Sequence, residues 1–195
     1  GNVSTHKDSK SNADFLMAGV AGDIVMESAA VVCDKLTNNG DITHNGYSNG
    51  IRLGGVAAYA CTGSFTNCKN TGDLTITTGA RHTSGYMGGV FGAAVYPKTF
   101  SNIVNEGAIT IQDAAKEDLT FKHGYIQTYG IAYGVSMRAG DDIPTVTNCT
   151  NRGPLSVGKI TNATTGNGGR LYMAGLFSNI YAGNISDCTN EATGT

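Results

Sequence analysis

Five times along this 195-residue chain, at intervals of about 35 to 45 residues, a glycine followed by an aliphatic residue recurs, usually with a small residue before it, and this recurrence limits the fold more than any other feature. The copies are Ala18-Gly19-Val20, Gly54-Gly55-Val56, Gly88-Gly89-Val90, Tyr129-Gly130-Ile131 and Ala174-Gly175-Leu176. Further along each copy stands a block with apolar ends and a polar middle: Cys33-Asp34-Lys35-Leu36, Phe65-Thr66-Asn67-Cys68, Phe100-Ser101-Asn102-Ile103, Val146-Thr147-Asn148-Cys149 and Ile185-Ser186-Asp187-Cys188. Two residues later comes Asn38, Asn70, Asn105, Asn151 or Asn190, followed at the next position but one by Gly40, Gly72, Gly107 or Gly153, and in the last copy by Ala192. A third block alternates apolar and polar residues at the period of a strand: Ile42-Thr43, Leu74-Thr75-Ile76, Ile109-Thr110-Ile111, Leu155-Ser156-Val157.

Three short strands per copy, separated by Gly and Asn turns and repeated every 35 to 45 residues or so, predict an all-β chain wound as a solenoid rather than a sandwich. The expected fold is a right-handed parallel β-helix of about five three-sided coils, the hand following the general preference of parallel crossovers. No single coil can bury its apolar side chains alone. Stacking at about 4.8 Å per coil piles equivalent residues into internal ladders, and five coils stand roughly 24 Å tall. The repeated Gly suits a turn needing positive φ, and the repeated Asn suits an amide ladder in which each side chain bonds the next coil's. Residues 1–14 are polar and pattern-free and read as an N-terminal tether; residues 15–195 read as one solenoid domain with repeats starting near Gly19, Gly55, Gly89, Gly130 and Gly175. The longer segments Asp113 to Lys122 and Arg138 to Pro144 are expected as loops bulging from the coil.

The Gly-Gly-Val start followed by Asn-Cys-x-Asn-x-Gly-x-Leu resembles the GLUG-type repeats of bacterial surface proteins, over most of residues 15–195. The resemblance implies an extracytoplasmic, adhesin-like or spacer module, secreted or at the cell surface, often part of a longer protein and without enzymatic activity.

Composition excludes other classes. A net charge of -2 with 14% charged residues provides no basic field for a phosphate backbone, so nucleic acid is not an expected partner. No run of about 18 apolar residues exists, so no transmembrane segment is expected. Of the five cysteines, Cys68, Cys149 and Cys188 fall in the apolar slot that Leu36 and Ile103 fill elsewhere in the repeat and Cys61 lies outside the pattern; all five are expected as free thiols. Cys68 and Cys149 are two coils apart, roughly 9.6 Å and beyond the roughly 7 Å reach of a bridge; Cys149 and Cys188 are adjacent, but parallel Cβ directions oppose a bond. No metal-ligand spacing is present and no cofactor is expected.

Candidate chemistry is sparse. Gly46-Tyr47-Ser48-Asn49-Gly50 satisfies the nucleophile-elbow pattern but lacks the strand-to-helix context that the pattern needs, so no catalytic residue is expected. The alternative function, a polysaccharide-processing β-helix lyase or hydrolase, would draw on Asp141, Asp142 and Glu117 in the long loops. One pattern exceeds turn chemistry: the segment joining each coil to the next pairs a basic residue or His with Tyr. His44 and Arg52 flank Tyr47, Arg81 and His82 precede Tyr86, His123 precedes Tyr125, and Arg170 precedes Tyr172. Stacking would collect these on one edge, where rings and directed donors suit a glycan or a cell-surface protein.

Overall fold

The computed structural model describes residues 1–6, 10–26, 30–77, 81–112, 125–137, 140–158 and 170–193. All their regular structure is strand, arranged as five parallel sheets of five strands each. Sheet I holds Val3–Ser4, Ile42–His44, Leu74–Ile76, Ile109–Ile111 and Leu155–Val157, and sheet II holds Lys10–Ala18, Tyr47–Gly54, Arg81–Gly88, Tyr125–Tyr129 and Arg170–Ala174. Sheet III holds Ala21–Val25, Ala57–Cys61, Phe91–Val95, Ala132–Val135 and Phe177–Ile180. Sheet IV holds Val32–Asp34, Ser64–Thr66, Thr99–Ser101, Thr145–Thr147 and Asn184–Ser186, and sheet V the two-residue strands Thr37–Asn38, Lys69–Asn70, Val104–Asn105, Thr150–Asn151 and Thr189–Asn190. The chain visits the sheets in that order and returns to the first, so each coil has five strands rather than three. Register follows the repeat: Leu74 lies opposite Ile42 and Ile109, and Phe65 opposite Cys33 and Phe100. The N-terminal segment expected as a tether instead supplies strands, because Val3 is half-buried against the core and pairs with Ile42 while Lys10 pairs with Tyr47.

The interior is two chambers, not one. Sheets I and II enclose Ile42, Ile51, Leu53, Leu74, Ile76, Met87, Ile109 and Ile111. Sheets III and IV enclose Phe65, Phe91, Phe100, Ile131, Val146 and Cys149, with the rings of Phe65, Phe91 and Phe100 5.1 to 5.5 Å apart. Between the chambers stands the asparagine rank. Asn38 Nδ2 donates to Asn70 Oδ1 at 2.8 Å, Asn70 to Asn105 at 2.9 Å, Asn105 to Asn151 at 2.8 Å and Asn151 to Asn190 at 2.8 Å. The second amide hydrogen of each donor closes its own turn on the carbonyl of Gly40, Gly72, Gly107 or Gly153. The rank reaches across to the opposite corner, where a side chain on Gly55, Gly89, Gly130 or Gly175 would run into the amide of its own coil. A buried amide is tolerated only when its hydrogen bonds are made, and here each inner amide makes them within the wall.

The expectation of positive φ at the repeated glycines is corrected. The left-handed residues of the repeat are Lys35, Asn67, Asn102, Asn148 and Asp187, at φ 53 to 58°, just before the apolar slot of Leu36, Cys68, Ile103, Cys149 and Cys188. Asn and Asp tolerate that conformation because their short polar side chains bond locally. The glycines are required for space instead: a Cβ on Gly72, Gly107 or Gly153 would overlap the carbonyl of Gly40, Gly72 or Gly107 in the coil beneath.

His44, grouped above with the linking edge, points inward. It is fully buried, occupies the rank of Ile76 and Ile111, and bonds Thr5 Oγ1 through Nδ1 at 3.2 Å. Burial lowers its pKa to about 4 from 6.5. The folded form therefore takes up its proton later than the unfolded form as pH falls, so stability is full above pH 6.5 and declines between 6.5 and 4. The whole shift amounts to about 3 kcal/mol. His44→Ile should remove that decline, since Thr5 Oγ1 still accepts from the amides of Asn45 and Gly46. Thermal unfolding at pH 7 and pH 4.5 checks this, and an unchanged pH dependence in the variant would contradict it.

Candidate functional site

Sheets II and III are joined by a sharp corner at the repeated glycines, and their outer faces turn toward each other. Along sheet II, residues 15, 17, 51, 53 and 87 face the first chamber, so the alternation of a strand sends Leu16, Arg52, Tyr86, Gln127 and Tyr172 outward in one rank. Facing them from sheet III are Tyr59 and Tyr133. Ala58, Ala93 and Tyr129 are buried yet belong to neither core chamber. The facing side chains of the two sheets form a seam running along the stacked coils.

The contacts across the seam are specific. The Arg52 guanidinium lies 5.0 Å over the Tyr59 ring and 3.8 Å from the Asp14 carboxylate. Burial and the neighbouring Cys61 thiol raise the pKa of the Tyr59 phenol, which keeps the ring neutral beside the cation. Tyr86 meets Tyr133 edge to face at 4.6 Å, and Tyr133 lies 6.1 Å from Tyr129. Tyr129 occupies the rank of Gly54 and Gly88 in earlier coils, and its hydroxyl bonds Gln127 Oε1, which Ser178 Oγ also approaches at 3.5 Å. Arg52, Tyr59, Tyr86 and Tyr133 are partly open to solvent, and Tyr172 is 40% exposed at the last coil.

Of the residues expected on the edge, Arg52, Tyr86 and Tyr172 therefore share one rank. The backbones of Tyr47, Arg81, His82, Tyr125 and Arg170 also lie on sheet II, with Arg81 beside Tyr47 and Arg170 beside Tyr125, but their side chains are outside the described residues. His123 lies outside the described residues altogether. Tyr59, Tyr133, Gln127 and Tyr129 were not singled out by the sequence. A lone Tyr within the small-residue runs Ala57-Ala58-Tyr59-Ala60 and Ala132-Tyr133-Gly134 is the only signal, and it recurs in just two copies.

A second cleft, of about 310 Å³, opens where sheet III passes to sheet IV. Its walls include Tyr96, Lys98, Asp141 and Asp142, with Lys98 Nζ 4.0 Å from the Asp142 carboxylate. Glu117, the third carboxylate of the enzyme alternative, lies outside the described residues. Ser48 sits in a strand, fully buried, where no substrate reaches it. Among the described residues no group of three or more His, Cys, Asp and Glu converges, and no helix is long and apolar enough to cross a membrane.

The class follows from the register of the five sheets: this chain is a parallel β-solenoid. No family model, no curated protein and no solved structure matches it.

Proposed function

We propose that the chain is a non-enzymatic, extracytoplasmic surface module, of the adhesin-like kind implied by its resemblance to GLUG-type repeats, which binds a glycan or a cell-surface protein along the seam between sheets II and III. The observation that carries this reading is the line formed by Arg52, Tyr59, Tyr86, Tyr133 and Tyr172, all partly open to solvent. Ring faces stack on the apolar face of a sugar or side chain, while Arg52 supplies directed donors. A glycan array probed with the purified chain tests it. Arg52→Gln combined with Tyr172→Ala should weaken a bound glycan at least tenfold while thermal unfolding stays near that of the parent. Unchanged binding in the variant would remove the seam as the contact surface, and no binding by the parent to glycans or surface proteins would leave a spacer.

One observation favours a polysaccharide-processing enzyme as the second reading, namely the cleft bearing Lys98, Asp141 and Asp142. Release of reducing or unsaturated ends from a polysaccharide, abolished by Asp142→Asn, would establish it in place of the first.

A further inference from the structure

The apolar slot that follows the left-handed residue is filled, coil by coil, by Leu36, Cys68, Ile103, Cys149 and Cys188. Only at the last step do two thiols stand in successive coils. The coils there are tied on both sides of the slot. Asn148 N donates to Ser186 O at 3.4 Å, Thr189 N donates to Cys149 O at 2.9 Å, and Thr150 lies opposite Thr189. Parallel strands held this way set their backbones about 4.8 Å apart, within the roughly 4.4 to 6.8 Å between α-carbons that a disulfide spans. The sulfurs also approach each other. Cys188 Sγ lies 3.2 Å from Ser186 O in its own coil and 3.8 Å from Val146 O in the coil of Cys149, near enough that the Cys188 thiol helps burial raise the pKa of Cys149. The parallel Cβ directions that argue against a bond are thus partly offset by the side chains themselves. The two differ in access, since Cys149 is fully buried and Cys188 is partly exposed.

The geometry points to Cys149 and Cys188 as a dithiol that a small disulfide oxidant converts to a cystine, fastening the fifth coil to the fourth. The exposed partner reacts first. The Cys188 thiolate attacks one sulfur of a disulfide such as oxidised glutathione; that S–S bond breaks, a glutathione thiolate leaves, and Cys188 carries a mixed disulfide. Cys149 then loses its proton to the released thiolate and attacks the Cys188 sulfur, expelling the second glutathione. Two protein thiols and one oxidised glutathione become one cystine and two reduced glutathiones, so two electrons pass to the oxidant. Burial raises the pKa of Cys149, which makes the second step the slow one.

The whole chain, reduced and then exposed to oxidised glutathione, is denatured, alkylated and weighed, and its peptides are mapped. The expected product carries alkyl groups only on Cys33, Cys61 and Cys68, with the peptides of Cys149 and Cys188 joined, and it unfolds at a higher temperature than the reduced chain. Cys149→Ser should stop at a glutathione adduct on Cys188. Alkylation of all five cysteines after prolonged exposure, or a bridge between Cys33 and Cys68 instead, would overturn the assignment. Because the parent chain alone decides the peptide map, a variant that folds poorly does not rescue the idea. The readout is covalent and independent of glycan binding, so it can fail while the proposed function stands, and the reverse.

Discussion

Asn105→Ala is expected to destabilise the solenoid by about 4 kcal/mol or more, a large part of what holds an ordinary domain folded. Asn105 accepts from Asn70 and donates both to Asn151 and to the carbonyl of Gly107, with no exposure to water. Truncation leaves the Asn151 Oδ1 and Gly107 O acceptors and one Asn70 hydrogen unpaired in a buried place, at about 1 to 3 kcal/mol each. Asn105→Asp should be worse near neutral pH. Its carboxylate can accept from Asn70 but would face the oxygens of Asn151 and Gly107 with nothing to donate. Protonation supplies one donor, so this variant should partly recover as pH falls. Asn190→Ala is the internal control, because Asn190 is exposed and gives up only the bond from Asn151, for about 1 kcal/mol or less. Urea unfolding followed by circular dichroism measures all three, and equal losses at positions 105 and 190 would refute a stabilising amide wall.

Gly107→Ala is expected to be of similar or greater consequence for a different reason. Its backbone is not left-handed, so alanine incurs no φ penalty. The added Cβ would sit 2.6 Å from the Gly72 carbonyl carbon and 2.9 Å from Asn70 Nδ2, closer than such atoms approach. Both are fixed parts of the second coil, so relief requires the second and third coils to separate and the ladder to stretch. The substitution should cost over about 3 kcal/mol or prevent folding. At Gly22 the nearest atoms to an added Cβ are at 3.8 Å, and Gly22→Ala should be neutral or slightly stabilising, within about 1 kcal/mol. A Gly107 variant as stable as the Gly22 variant would show that coil spacing is not set by the glycine rank.

The coil count, the parallel stacking and the amide ladder were legible because each depends on which residue type recurs, and recurrence is what a sequence displays. What each recurring glycine does was not legible. Gly107 and Asn102 lie near one another in the same copy, and only backbone angles show that the asparagine takes the left-handed turn while the glycine clears a carbonyl. His44 was misplaced because it was grouped with the linking segment, whereas it is the third residue of the strand Ile42-Thr43-His44, where alternation puts it on the same face as Ile42; register against Ile76 shows this. The seam was half legible. Arg52, Tyr86 and Tyr172 recur in the linking segments, but Tyr59 and Tyr133 lie across a corner, and nothing in linear spacing says that two outer faces fold toward one another.

The asparagine wall also governs how substitutions combine. Side chains in the Ile- and Leu-rich chamber and those in the Phe-rich chamber share few neighbours, so a change of volume on one side must be absorbed on that side. Ile76 and Phe100 can therefore be varied almost as if they belonged to separate proteins, whereas Phe65, Phe91 and Phe100 cannot be varied independently. A chain of modest size thus carries two cores that can be repacked in turn, provided the amides between them are left alone.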